Sequence, residues 1–376
     1  ISATGSPSGA VATASTTFFI QPQVYSVTPT TGSVGTIVTV NGTGYGAGDT
    51  VTVRFGANNS IKQVIADATS GSFTTTFTVD TQRYATTTIS ASGGTSGAVA
   101  TASTTFFIQH DIIYVTPTSG TVGAMITVYS TGYASNGTIT IDFGTNTNIQ
   151  QATASTNGSF SCTFTVPLHV YGSETITATY DSGAGSGTAT FLVRPNITNI
   201  SPISGTVGTI ISVNGNGYDP VAGDIKILLG NNSRKIGIPC SADGTFNNSF
   251  TIDAQPYWTI TITAVHAHPS YLYISAQGTI SIRAKVYAVS PSIGTVGSTV
   301  TISGNGFTAN SPGSITFGPG NSFRGNFPSN TTVSGTFISI IFTVDAQAFG
   351  TTTVTATAGD AVGTGSFKIM ANIRQL

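Results

Sequence analysis

Val27-Thr28-Pro29-Thr30-Thr31-Gly32-Ser33-Val34-Gly35-Thr36-Ile37-Val38-Thr39-Val40-Asn41-Gly42-Thr43-Gly44-Tyr45 decides the fold. A strand runs up to Pro29, which lacks an N–H and interrupts ladder pairing. Gly32 and Gly35 bracket a turn. Val38 and Val40 then alternate with polar residues, the period of a half-buried strand. Gly42-Thr43-Gly44-Tyr45 closes it with a corner and a large aromatic. The phrase returns at Val115–Gly123, Ile200–Gly208 and Val289–Gly297, with signpost prolines Pro29, Pro117, Pro202 and Pro291. The steps between them are 88, 85 and 89 residues, each the size of a whole small domain and not of a solenoid turn.

The rest of each repeat is strand-like. Val38/Val40 recurs as Ile126/Val128, Ile211/Val213 and Val300/Ile302. Val51, Val53 and Phe55, closed by Gly56, recur as Ile139, Ile141 and Phe143 with Gly144. Gly71-Ser72-Phe73 opens a strand carrying Phe73, Thr75, Phe77 and Val79 on one face. The fourth repeat has one residue more between Gly335 and Val344, which predicts a β-bulge near 338–341. Thr86–Ala91 and 98–108 finish the module. Threonine and β-branched residues dominate and no segment has a helical period. The expectation is all-β, with four tandem immunoglobulin-like β-sandwiches in a rod plus an N-terminal orphan strand pair. The boundaries read as 1–22 (orphan segment), 23–109, 110–195, 196–283 and 284–370 (modules), and 371–376 (strand-like tail).

The Pro-x-x-Gly-x-x-Gly start and the strand ending Gly-x-Gly-aromatic (Gly215-Asn216-Gly217-Tyr218, Gly304-Asn305-Gly306-Phe307) resemble IPT/TIG-type immunoglobulin-like repeats. The Gly-Ser-Phe…Phe-Thr-Val stretch resembles tandem repeats of prokaryotic cell-surface and extracellular filament proteins. The resemblance covers nearly the whole chain. It implies the sandwich fold and, for function, spacers, adhesin stalks, enzyme appendages or filament subunits.

Composition narrows these classes. Only 7% of the 376 residues are charged and the net charge is −1, so no basic field exists for nucleic acid or an anionic membrane. Apolar content of 39%, with 21 Phe and 13 Tyr, excludes disorder. No apolar run reaches the roughly 18–20 residues of a bilayer span. The opening at Ile1, without Met or a leader-like segment, reads as a processed mature form or one piece of a longer chain. A surface so poor in charge fits attached sugar. Nine Asn-x-Ser/Thr sequons stand at Asn41, Asn58, Asn136, Asn157, Asn196, Asn199, Asn231, Asn247 and Asn330. Cys162 and Cys240 read as buried small hydrophobes, Cys240 in one alternation with Ile236 and Ile238.

Little in the sequence suggests catalysis. Glu174 is the only glutamate, so no repeated carboxylate pair exists. Gly-x-Ser-x-Gly, P-loop and His-Glu-x-x-His patterns are absent. His266-Ala267-His268 reads as a solvated strand-end pair and not as a metal site. Asp219 and Asp224 read as loop residues. Tyr257 and Trp258 read as core or junction residues. Lys–Asn isopeptide staples are impossible in the second module, because residues 110–193 hold no lysine. No cofactor and no metal are expected.

The ends are out of phase with the modules. Residues 1–21 copy 89–109 except at Thr4, Ser6 and Pro7. The segment therefore holds the last two strands of a module, and an isolated strand pair is unstable. It adds to a neighbouring subunit's sheet, belongs to a longer array, or is disordered. The tail 372–376 aligns with the first strand of a further module. Junctions such as Ile108-Gln109-His110-Asp111-Ile112 hold no Gly/Ser linker, so four modules make a rod of about 150 Å. The expected function is a non-enzymatic structural subunit of an extracellular filament or surface stalk. Its partner is itself, head to tail, through Val11, Phe18, Phe19, Ile20, Ile373 and Leu376. The alternative is a carbohydrate- or receptor-binding adhesin with its site in the third module, at Tyr257, Trp258, His266, His268, Tyr271 and Tyr273.

Overall fold

The computed structural model describes residues 2–4, 11–13 and 19–371, with breaks at 96, 98, 102–104, 182, 184 and 267–273. By internal packing the chain divides into two units, one of 1–119, 124–167 and 173–192, the other of 120–123, 168–172 and 193–376. Every described element is a strand except one short 3-10 turn, Pro220–Ala222.

Each repeat is an immunoglobulin-like sandwich. In the third, Asn196–Ser201, Ile210–Asn216 and Phe246–Thr251 form a three-stranded sheet. The facing sheet has the order Ser204–Gly205, Ser275–Ile282, Trp258–His266, Ile225–Leu229, Asn232–Ile238. The second and fourth repeats have the same three-plus-five arrangement. In the first, the larger sheet is split into a three-stranded and a four-stranded part.

The alternation sets which face is buried. Val38, Val40, Ile126, Val128, Ile211, Val213, Val300 and Ile302 are fully buried, and burial of each such side chain is worth about 1.5–3 kcal/mol. Phe73, Thr75, Phe77 and Val79 all face inward. The prolines act as the sequence implies. After Gln23–Thr28 the chain passes Pro29 and changes sheet, so that Thr31–Gly32 lies parallel to Phe106–Ile108. Ser204–Gly205 and Ile293–Gly294 repeat this parallel pairing against the last strands of their own modules. All four prolines follow cis peptide bonds.

Bulges recur in the first strand of every module, between Val24/Ser26, Ile112/Tyr114, Ile197/Asn199 and Val286/Ala288. They turn Tyr25, Ile113 and Tyr287 to solvent. The bulge expected in the fourth repeat is present. The register shifts opposite Ile302/Gly304, Ser339 takes φ 58°, and Ile338 and Ile341 are exposed.

Two details depart from the sequence reading. The outer strands Asn58–Ile65, Asn146–Thr153, Asn232–Ile238 and Ser322–Asn326 are not among the expected elements, because these edge strands are mostly exposed or half-buried and carry little alternation. The single alternation through Ile236, Ile238 and Cys240 is broken. Gly237 at φ 73° and a register shift turn Ile236 outward while Ile238 stays buried. Cys162 and Cys240 are half-buried and free of disulfides, and burial pushes both thiols up to about 11.

The two described strands of the duplicated N-terminal segment pair in the register of their copies. Ser2–Thr4 pairs with Val11–Thr13 as Ser2↔Thr13, Ala3↔Ala12 and Thr4↔Val11. The copy pairs Ser90↔Thr101, Ala91↔Ala100 and Ser92↔Val99, the same register displaced by 88 residues. In the copy, Ile89–Gly93 pairs onward with Thr50–Phe55. Among the described residues, the N-terminal pair is a two-stranded sheet by itself.

Candidate functional site

The Gly-x-Gly-aromatic corners build the ends of the modules. Gly44, Gly132, Gly217 and Gly306 have φ of 82°, 82°, 72° and 72°, where a Cβ would also strike backbone of the entering chain. The bend turns Tyr45, Tyr133, Tyr218 and Phe307 into the core. Three of them carry a hydroxyl, which donates to Ala91 O at 3.3 Å, Ala178 O at 3.0 Å and Ala264 O at 3.1 Å. Burial pushes the Tyr45 phenol up to about 12 and raises those of Tyr133 and Tyr218. The backbone amide of each aromatic donates to the glycine that opens the Gly-Ser/Thr-Phe strand: Tyr45 to Gly71 O, Tyr133 to Gly158 O, Tyr218 to Gly244 O and Phe307 to Gly335 O, at 3.0–3.1 Å.

The carbonyl of the same aromatic forms a joint. Tyr84 N–H donates to Tyr133 O at 3.1 Å within the first unit. Within the second, Tyr171 N–H donates to Tyr218 O at 3.3 Å and Tyr257 N–H to Phe307 O at 2.9 Å. Beside each bond a glycine leaves no room for a side chain. A Cβ on Gly158 would lie 2.7 Å from Arg83 Cα, on Gly244 3.0 Å from Val170 Cα, and on Gly335 2.9 Å from Pro256 Cα. Aromatic packing reinforces all three joints, and Tyr171 lies against the core of the third module. His110 stacks between Tyr84 and Tyr133, with centroids 4.5 and 4.6 Å away, and its Nδ1 lies 2.6 Å from Gly132 O. Tyr257 packs on the core of the fourth module.

The loops that present Tyr84 and Tyr257 share a frame. Gln82 Nε2 donates to Asp80 Oδ1 at 2.9 Å, and Gln255 Nε2 to Asp253 Oδ1 at 2.8 Å. The fourth module has the same frame, with Gln347 Nε2 donating to Asp345 Oδ1 at 3.0 Å. Ion pairs Arg234–Asp253 and Arg324–Asp345 anchor two of these loops. Its trace in the sequence is the recurring Asp-x-Gln at 80–82, 253–255 and 345–347, which names no partner because the joint itself is made by main-chain groups.

Of the expected subunit-interface residues, Phe19 and Ile20 are 82% and 74% exposed. Val11 lies on the second strand of the N-terminal hairpin. Phe18, Ile373 and Leu376 lie outside the described residues. Among the sequon asparagines, Asn136, Asn157, Asn199, Asn231, Asn247 and Asn330 are exposed, whereas Asn41, Asn58 and Asn196 are half-buried. Asn58 Nδ2 is engaged by Asp80 at 2.7 Å.

His266 corrects the reading of a solvated pair. It is fully buried, its Nδ1–H donates to Gly223 O at 2.9 Å, and its Nε2 accepts from Asp219 N–H at 3.3 Å. The ring thus ties down the turn that Asp219 caps through Val221 N–H. Desolvation lowers its pKa. His268, Tyr271 and Tyr273 lie outside the described residues. Among the described residues no three metal-ligating side chains cluster. Trp258 is not a core residue. It is 68% exposed, on a groove of about 660 Å³ lined also by Tyr257, Ser281, Arg283, Asp360 and Val362. No helix among the described residues is long and apolar enough to cross a membrane.

No protein-family model matches the chain, and no curated protein matches its sequence. Solved structures that match are low in identity. The four-domain ectodomain fragment of ICAM-5 is 11% identical, with 93% of this chain and all of that one covered at a TM-score of 0.22. A tetra-tandem repeat from the extending region of a large adhesion protein is 16% identical, with 94% and 100% covered at 0.23. Invasin, a bacterial integrin-binding protein, is 14% identical, with 93% and 79% covered at 0.24. At such scores the assignment to immunoglobulin-like sandwiches rests on the chain's own sheets.

Proposed function

We propose that the chain is a non-enzymatic structural subunit of an extracellular filament or surface stalk, assembling head to tail through its terminal strands. The observation that carries this reading is the N-terminal hairpin. It keeps the register of a sandwich hairpin, yet among the described residues it lacks the third strand that its copy pairs with. A two-stranded sheet needs such a neighbour for stability, and a second subunit supplies one by strand addition. Short connections support a load-bearing role. Only Gln109 and His110 separate Phe106–Ile108 from Asp111–Thr116. The low charge and the six exposed sequon asparagines fit a glycosylated exterior surface. Electron microscopy of native material tests the reading. Continuous fibres are expected, and deletion of residues 1–21 should leave folded protein that no longer polymerises. Fibres of normal length from that deletion refute the role of the terminal strands.

The groove beside Trp258 favours a second reading, a saccharide-binding adhesin. The residues equivalent to Trp258 are Ala85, Gly172 and Gly350, so the module fold does not need an aromatic ring there. A flat exposed indole beside Arg283 and Asp360 suits a sugar ring. Trp258 is the only tryptophan, so its fluorescence reports on this groove. A glycan-array signal lost in Trp258→Ala supports the reading, and a blank array refutes it.

A further inference from the structure

We infer that Asn157 carries an N-linked glycan whose first sugar rings lie in the groove between the first and second modules and brace their joint. The inference rests on the extracellular reading above and names one attachment site and its seat.

The sequon Asn157-Gly158-Ser159 contains the joint glycine itself. The residues equivalent to Asn157, before Gly71, Gly244 and Gly335, are Ser70, Asp243 and Ser334. The turn fixes the amide by its oxygen. Asn157 Oδ1 accepts from Ser155 Oγ at 2.5 Å, from Ser159 Oγ at 2.8 Å and from Ser159 N–H at 3.3 Å. Asn157 is exposed, and among the described residues its Nδ2 has no acceptor. By contrast, Asn58 Nδ2 donates to Asp80 and Asn330 Nδ2 to Asn310 O. Attachment joins Nδ2 to the anomeric carbon of a glycosyl donor. The N–C bond forms as the C–O bond to the donor's phosphate leaving group breaks, and one amide proton leaves. Donor and transferase come from outside this chain.

A seat for the sugar lies beside that nitrogen. Asn157 lines a groove of about 630 Å³ together with Thr81, Gln82, Arg83, Thr86 and Thr156, within the range of roughly 300–1,000 Å³ that small ligands fill. The hydroxyl, amide and guanidinium groups of this lining match the donors and acceptors of a sugar. Arg83 is exposed and makes no ion pair among the described residues. The walls come from both modules, Thr81–Thr88 from the first and Thr156 and Asn157 from the second. Between Arg83 and Ala85, which both line the groove, Tyr84 donates its N–H to Tyr133 O. A ring held against both walls keeps that bond closed. Because the glycan is tethered at the rim, its effective concentration is in the mM range, and weak contacts suffice to seat it.

Mass spectrometry of the native full chain tests the attachment. Chymotryptic cleavage after Phe143 and Phe160 gives peptide 144–160, which holds no other sequon. A saccharide mass on this peptide is expected, and a bare peptide overturns the inference. Asn157→Asp, made in the same glycosylating host, tests the seat. It removes the sugar and keeps the turn, since Asp243 at the equivalent position accepts from Thr245 N–H at 3.0 Å and Thr245 Oγ1 at 2.7 Å. Hydrogen exchange at the Tyr84 amide should quicken by about tenfold, the ratio of an effective concentration of about 1 mM to a dissociation constant of about 0.1 mM. Asn247→Asp, at an exposed sequon in the third module, should leave that rate unchanged. Equal Tyr84 exchange in Asn157→Asp and native protein, or equal quickening in both variants, overturns the brace. Sugar on other sequons with Asn157 bare overturns the inference and leaves the extracellular reading intact. Bare asparagines at all nine sequons, in material that forms no fibres, refute both.

Discussion

Gly335→Ala is the substitution that most directly probes the joint. Gly335 has φ 67°, and a Cβ there would lie 2.0 Å from Phe307 O and 2.9 Å from Pro256 Cα. Both neighbours are backbone, so neither can swing aside. Gly297 supplies a control in the same module, with φ 88° and nothing within 4 Å of its Cβ position. For Gly297→Ala the left-handed conformation costs about 1–2 kcal/mol. The stiffer unfolded chain returns about 0.4–1 kcal/mol, leaving about 1 kcal/mol. Gly335→Ala bears the same cost and adds an overpacking cost of about 1–3 kcal/mol, for a total of about 2–4 kcal/mol. At about 4–8 °C per kcal/mol for a domain of this size, the fourth module's calorimetric transition should fall by on the order of 10 °C or more. Trp258, two residues from Pro256, reports the same event by fluorescence. Equal losses in the two variants, within about 0.5 kcal/mol, refute the steric fit at Gly335, and Gly71→Ala, whose Cβ would lie 2.1 Å from Tyr45 O with only its own module beside it, shows how much of the loss belongs to the corner and not to the joint.

Three further outcomes are expected. His266 is neutral in the fold and its pKa lies below the ordinary histidine value, so the unfolded chain takes up a proton first as pH falls. Stability of the third module should therefore be full above about pH 6.5 and decline below it; a urea midpoint equal at pH 7.5 and pH 5.5 refutes this. Tyr218→Phe deletes the hydroxyl bonded to Ala264 O inside the core and should lower the third module's unfolding free energy by about 1–2 kcal/mol, read by urea denaturation; an unchanged midpoint counts against it. Cys162 and Cys240, with thiols raised to about 11, should react with Ellman's reagent at pH 8 far more slowly than in urea. Equal rates would show them to be exposed.

The sandwich was legible because its determinants are local and repeated. Val38/Val40 and its three counterparts state which face is inside, Pro29 and its counterparts state where the chain changes sheet, and one extra residue before Val344 states where the strand bulges. The outer strand Asn58–Ile65 is not legible, since only Ile61 and Val64 pack on the core and, three residues apart, they do not make a period-two rhythm. His266 was misread because its environment is a turn formed by Asp219–Gly223, more than forty residues away. Of the two places expected for Trp258, core or junction, its exposed ring stands at the junction, on a groove lined by residues of the third and fourth modules. The joints escaped for another reason. A bond from Tyr84 N–H to Tyr133 O uses atoms that every residue has, so only the glycine beside it and the Gln–Asp loop leave any trace in the sequence.

The parallel pairing of the short strand after the proline with the last strand, found in the first, third and fourth modules, has a mechanical consequence. Thr31–Gly32 and Phe106–Ile108 run side by side, tied by Phe107 N–H to Thr30 O at 2.9 Å and Gln109 N–H to Gly32 O at 2.8 Å. The fourth module repeats the pair with Lys368 N–H to Ser292 O and Met370 N–H to Gly294 O. Tension applied along the chain pulls the entering strand one way and the leaving strand the other, so they slide past each other and do not peel apart. Bonds loaded in shear must fail together, whereas peeled bonds fail one at a time. Each of these three modules therefore carries its own clamp across the line of force, and its pulling strength is set by a few backbone bonds beside the proline.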